Sequence, residues 1–307
     1  MRTWKPWKAL SMRFRRSRTD YRNGEMMATK AEMKDRREAL LSAVRAVAEQ
    51  YKRYLPLTLR QIYYQLVGAG IIENDDNSYK NLSRLLSAAR TEGSLPWEVM
   101  EDRTRYTHAL QSDACADDFI SWQKKAFLTN YRRDLSQTQP KYLEVWIEKD
   151  ALSGLFKRVC EAWHVRLVVC KGFMSTSFLH EYAERARSAW NRERDPVVIY
   201  FGDFDPSGMA MLESYADSLP EKHGVDYVIF YRAALNPEDV ERYGLFHDPN
   251  ALKVSDSRAA HFVERYGRYA VELDALPPDV LTQRIEESIA KYMDIERFGA
   301  EEATYHA

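Results

Sequence analysis

Long apolar runs are missing from this chain of 307 residues. None approaches the ~20 consecutive apolar residues of a membrane-spanning helix, so a soluble protein without a membrane partner is expected. Cysteine is scarce as well: Cys115, Cys160 and Cys170 are an odd number, and no CxxC spacing occurs. That argues against a disulfide framework and a zinc site and fits a reducing cytoplasm. Repeats and low-complexity tracts are also lacking. The first 25 residues have no apolar core of the secretory kind. They are Arg-rich and acid-poor, matching a mitochondrial transit peptide in composition alone. A flexible basic arm over residues 1–27 is the expectation.

What is present is a chain with 45% apolar residues, enough for a packed core, and 30% charged residues, enough for a solvated surface. The net charge of −1 hides an uneven spread. Residues 1–60 carry 16 Lys and Arg against 6 Asp and Glu, and the remainder 29 against 40. A basic head on an acidic body points to a polyanion partner for the head and cations for the body, with a solvated basic helix as the plainer alternative.

The first half reads as helical. Over residues 28–52, Leu40, Leu41, Val44, Val47 and Ala48 form one stripe. Thr58 caps a second helix over 59–68, and Asn77 and Ser78 start a third over 79–91. With "GSLPWEVMED" behind them as a short wing, the three predict a winged helix-turn-helix domain over residues 28–107. Lys80, Arg84 and Arg90 lie largely off the third helix's apolar stripe and are the candidate DNA contacts. Residues 108–140 read as a helical linker. From Tyr142 onward, "YLEVWI", "VRLVVC", "VVIYF" and "YVIFY" alternate with helical patterns. The chain is therefore an α/β protein whose second domain, 141–307, has a mostly parallel sheet flanked by helices.

Carboxyl ends of parallel strands share one edge, and ligands bind there. "YLEVWI" ends in Glu148-Lys149-Asp150 and "VVIYFG" in Asp203-Phe204-Asp205, so both acidic groups project from that edge. Clustered carboxylates repel unless a cation sits among them, and an all-oxygen donor set favours Mg²⁺ over zinc. Pro206 and Gly208 suit a tight turn into a helix whose first amides favour an anion. The plainer alternative is a solvated turn with Asp205 as a helix cap.

"EVWIEKDALSGLF" followed by "YFGDFDPSGMAM" resembles a Toprim domain. The likeness is greatest to the A subunit of topoisomerase VI and its meiotic break-forming relatives, whose second motif also reads Asp-x-Asp-Pro-x-Gly. "YAVELDALPPDVLTQRIEESI" resembles the tail of their Toprim region. "LRQIYYQLV" matches their Arg-x-x-Tyr-Tyr pattern, with Tyr64 at the nucleophile position. The resemblance covers about residues 55–295. The chain is shorter than a usual A subunit, "KGFMSTSF" has no residue-by-residue match in their glycine-rich segment, and the compact "mini-A" relatives are the nearest in size. Helical periodicity agrees with the tyrosine assignment: Leu59, Ile62, Tyr63, Leu66 and Val67 form the buried stripe, Tyr64 is rotated off it, and Arg60 shares its face.

The resemblance implies a type IIB topoisomerase activity on double-stranded DNA. Tyr64 would become linked to a 5′ phosphate, with Arg60 beside it. Glu148, Asp203 and Asp205 would hold Mg²⁺, Glu148 serving otherwise as general acid. It also implies a homodimer in which the tyrosine of one subunit meets the metal of the other. A separate ATPase subunit stays open. The rivals are a Toprim-type hydrolytic nuclease, a DNA-binding module with an inactive site, and, last, a phosphatase of the haloacid-dehalogenase type.

Overall fold

The computed structural model describes residues 30–101, 112–245, 259–268 and 270–306; the expected basic arm lies outside them. The helices are α1 (Lys30–Gln50), α2 (Leu59–Gly68), α3 (Asp76–Thr91), α4 (Ala116–Thr129), α5 (Ser153–Ala162), α6 (Thr176–Trp190), α7 (Pro206–His223), α8 (Pro237–Tyr243), α9 (Ala259–Tyr266), α10 (Pro278–Ala290) and α11 (Ile295–His306). The strands are β1 (Lys141–Ile147), β2 (Arg166–Val169), β3 (Asp195–Phe201) and β4 (Ile229–Ala234).

Helices α1 to α3 enclose one apolar core. Leu41, Val44 and Val47 of α1 meet Ile62 and Leu66 of α2 and Leu82, Leu86 and Ala89 of α3. Thr58 caps α2 as expected, in a reciprocal box with Gln61. The third helix starts earlier than its periodicity indicates, because Asp75 supplies the cap by accepting from Ser78 N–H at 2.8 Å. The expected wing takes another form. Trp97–Val99 is a single 3-10 turn, and Met100 makes one parallel bridge with Leu57. The final residue of "GSLPWEVMED" and the end of the expected domain lie outside the described residues. The linker region contains α4, and β1 begins at Lys141, one residue before the change of rhythm at Tyr142.

The sheet is four-stranded and all parallel, in the order β2-β1-β3-β4. Side chains alternate across it. Leu143, Val145 and Ile147 of β1 and Val197, Ile199 and Phe201 of β3 pack on α5 and α10. Trp146 of β1 and Val198 and Tyr200 of β3 pack on α6 and α7. Both faces are covered, which is why these strands read as near-continuous apolar runs. Each fully buried large side chain contributes roughly 1.5–3 kcal/mol.

This order puts the topological switch point between β1 and β3, since the chain leaves β1 toward β2 and returns across it to β3. The two strands run in register from Lys141↔Asp195 to Ile147↔Phe201, so their carboxyl ends are level. Glu148 N–H donates to the Phe201 carbonyl at 3.0 Å. The residues that follow both strands therefore emerge side by side.

Candidate active site

Glu148 leaves β1 and Asp203 leaves β3 within hydrogen-bond reach. The Asp203 backbone N–H donates to Glu148 Oε2 at 2.9 Å. Asp203 is buried, and both its oxygens are engaged: Oδ1 accepts from Leu273 N–H at 2.8 Å and Oδ2 pairs with Lys149 Nζ at 3.0 Å. Asp205 Oδ1 accepts from Gly208 N–H at 2.6 Å, so the plainer reading of Asp205 as the helix cap describes one of its oxygens. Pro206 opens α7. Gly208 is needed because a Cβ there would overlap the Asp203 carbonyl. Gly208→Ala should displace the Asp203 turn, lowering the melting temperature and the activity together. A variant with wild-type melting and activity would contradict this packing.

Positive charge reaches the cluster from the end of β1 itself and from two distant arginines. Lys149 Nζ lies 2.9 Å from both Glu272 and Asp274 in addition to Asp203. Burial works against its charge, yet Asp203 and Asp274 outweigh that and hold the ammonium above its usual range. Arg60 of α2 pairs with Glu272. Arg232 of β4 donates to the carbonyls of Asp203 at 2.5 Å, Gly208 at 2.9 Å and Leu235 at 3.0 Å, tying the acidic turn to the neighbouring strand.

Five carboxylates (Glu148, Asp203, Asp205, Glu272 and Asp274) thus gather at this edge; three of them pair with Lys149, and Arg60 pairs with Glu272. The balance is short of cations. Burial, then Asp203 and Asp205, push the Glu148 carboxyl up to about 7. Burial likewise raises Asp203, against the pull of Lys149. Asp274 Oδ1 is buried without a hydrogen-bond partner. An all-oxygen donor set short of positive charge fits a hard divalent ion. As the side chains stand, no group of three acidic, His or Cys residues among the described residues is arranged to hold one ion. Lys149 closes the Asp203 side, and the Asp205 cap spends one oxygen.

The raised Glu148 pKa has a consequence for stability. Its ordinary value is 4.5, so between pH 4.5 and about 7 the folded chain holds this proton more firmly than the unfolded chain. Stability therefore falls as pH rises through that window. Glu148→Gln keeps an acceptor for the Asp203 N–H and removes the charge. It should stabilise the protein at pH 8 by about 1–3 kcal/mol and change little at pH 4.5. Equal melting shifts at both pH values would contradict the assignment.

Tyr63 and Tyr64 separate as their spacing predicts. Tyr63 is buried in the helical core, but its role exceeds packing: its hydroxyl lies 2.9 Å from Asn74 Oδ1, with the Glu73 and Asp75 carbonyls at 3.3 and 3.2 Å. Tyr64 is half-buried and touches both the helical core and the sheet core. It belongs to α2, which packs on the turn Leu273–Ala275 beside Asp203. Burial pushes its phenol up to about 12, against Lys149 and Arg60, which lower it. Arg60 therefore does not by itself produce a phenolate in this arrangement.

The candidate DNA contacts divide. Lys80 and Arg84 are exposed and one turn apart on α3. Arg90 is turned inward: it donates to the Met100 carbonyl at 3.0 Å and lies over the Trp97 ring at 4.7 Å. It fastens the segment after α3, a role its position off the apolar stripe does not reveal. No helix among the described residues is long and apolar enough to cross a membrane. No protein-family model matches the chain, and a search of curated proteins gives no match.

Proposed function

We propose that the protein cleaves double-stranded DNA by metal-dependent tyrosine transesterification, in the manner of type IIB topoisomerase A subunits. One observation carries the reading: the off-stripe tyrosine of the helical unit packs against the sheet core, on a helix that rests on the turn beside the carboxylates at the switch point of a parallel sheet. The Toprim-like motifs noted in the sequence sit at those strand ends. The helix-turn-helix of α2 and α3, with Lys80 and Arg84 outward, supports a winged-helix-type DNA contact.

Tyr64 Oη bonds to phosphorus, the bond from phosphorus to the 3′ oxygen breaks, and overall one proton passes from the phenol to the leaving hydroxyl. Lys149 and Arg60 favour the phenolate and oppose the effect of burial. Where Glu148 does not hold the metal, its raised pKa suits it instead to supply the leaving oxygen's proton. Mg²⁺ held by Glu148, Asp203 and Asp205 would, when bound, offset charge on the phosphate and the leaving oxygen. The reverse step reseals the strand. A homodimer would supply one tyrosine per strand. The resemblance implies that the tyrosine of one subunit meets the carboxylates of the other.

Burial of Tyr64 favours one second reading, hydrolysis by water at the same carboxylates. Incubation with labelled supercoiled DNA and Mg²⁺, then a detergent quench, separates the two. Protein-linked DNA is expected, and cleavage without it means hydrolysis.

Lys80→Ala and Arg84→Ala should each weaken DNA binding and lower its salt slope by about one. Arg90→Ala should act mainly on stability. Unchanged slopes in the first two variants would retire α3 as the contacting helix.

A further inference from the structure

The acidic cluster occupies one end of the sheet. The other end, about 20 Å away along seven-residue strands, holds a cavity of ≈ 380 Å³ at the amino ends of β1 and β2. Its wall carries Lys141, Arg166, Arg185, Arg192 and Arg194, with Asp134 as the one acid of the lining. Behind it, Glu144 is wholly buried in β1. Glu144 compensates Arg185 through two contacts, 2.7 Å to Nε and 3.2 Å to Nη2, and lies 3.7 Å from Arg166.

The remaining cations are less well matched. Arg194 Nη2 donates to the Ser136 and Lys141 carbonyls at 2.8 and 3.0 Å, but its Nε is buried with no partner. Burial also holds the Arg194 guanidinium below the usual arginine range. Arg192 is exposed, and its side chain has no ion-pair or hydrogen-bond partner among the described residues. Converging cations repel one another unless an anion joins them, and the guanidinium fork matches phosphate oxygens. Ligand pockets run from about 300 Å³ upward, so this cavity suits a nucleotide-sized molecule and excludes a duplex.

We propose that this cavity is a second binding site, which takes a phosphate ester of nucleotide size with its phosphate against Arg192 and Arg194. It shares no residue with the acidic edge, and its failure would leave the cleavage reading intact.

The test is calorimetric titration of the full chain in EDTA with ATP, inorganic pyrophosphate and adenosine. Saturable binding of the first two and none of adenosine is expected. Arg192→Glu should weaken ATP at least tenfold with an unchanged melting temperature, because that side chain holds nothing in the fold. Arg194→Lys keeps the charge and loses the fork, and should weaken ATP several-fold. Asp203→Asn should leave the titration unaltered. A 5′-phosphorylated single strand that displaces ATP would identify a strand end as the phosphate source, and failure to displace it a free nucleotide. No saturable binding at millimolar ATP would overturn the proposal. So would wild-type affinity in both arginine variants, equal binding of adenosine, or loss of binding in Asp203→Asn.

Discussion

Tyr64→Phe should yield no protein-linked DNA and reduce strand cleavage by about 10³-fold or more, since it deletes the nucleophilic oxygen. The ring it keeps is the part that packs. Tyr64 touches the helical core through α2 and the sheet core through its outer face, and a phenylalanine preserves both contacts. Melting should therefore move by no more than about 0.5 kcal/mol. Tyr63→Phe should do the reverse. Its hydroxyl serves the Asn74 side chain and the turn before α3, so losing it should cost about 1–2 kcal/mol while cleavage and adducts persist. The pair of variants separates chemistry from folding at neighbouring positions. Peptide mapping of trapped adducts supplies the direct check. A nucleotide on Tyr63, or on no tyrosine, removes Tyr64 from the mechanism, and full cleavage by Tyr64→Phe selects the hydrolytic reading.

The separation of the two tyrosines was legible in the sequence because it depends on a local period. At 3.6 residues per turn, Ile62, Tyr63 and Leu66 share one side and Tyr64 another. The sheet was legible for a related reason: strands buried on both faces read as unbroken apolar runs, and four such runs alternate with helical patterns. The level ends of β1 and β3 then brought Glu148 to Asp203. What was not legible depends on pairings between distant positions. Glu272 and Asp274 reach Lys149 across more than 120 residues, and Arg232 reaches the Asp203 carbonyl from the next strand. Arg90 has the spacing of an outward residue, and only the fold shows Trp97 and Met100 returning to meet it. The docking of α2 on the turn at Leu273–Ala275 through the Arg60–Glu272 pair belongs to the same class.

Asp203→Asn should abolish cleavage and weaken Mg²⁺ binding while leaving the fold within about 2 kcal/mol of wild type. Two effects oppose each other in this variant. Removing a carboxylate that burial already disfavours relieves repulsion with Glu148 and Asp274. It also takes from Lys149 one of three acidic partners, but Glu272 and Asp274 remain at 2.9 Å, so the ammonium stays compensated. The asparagine oxygen still accepts from the Leu273 N–H, which fixes the turn on which α2 rests. Asp203→Ala removes that acceptor too, leaving a buried N–H unpaired at a cost of about 1–3 kcal/mol, and should lose stability as well as activity. The contrast between the two substitutions carries the test. If the carboxylate serves the chemistry, both are inactive and only alanine is markedly destabilised. If Asp203 serves only to anchor the turn, Asp203→Asn cuts DNA at the wild-type rate with undiminished Mg²⁺ dependence, and the acidic edge loses its place in the mechanism. DNA binding should survive in both variants, because the exposed cations of α3 lie on a different element.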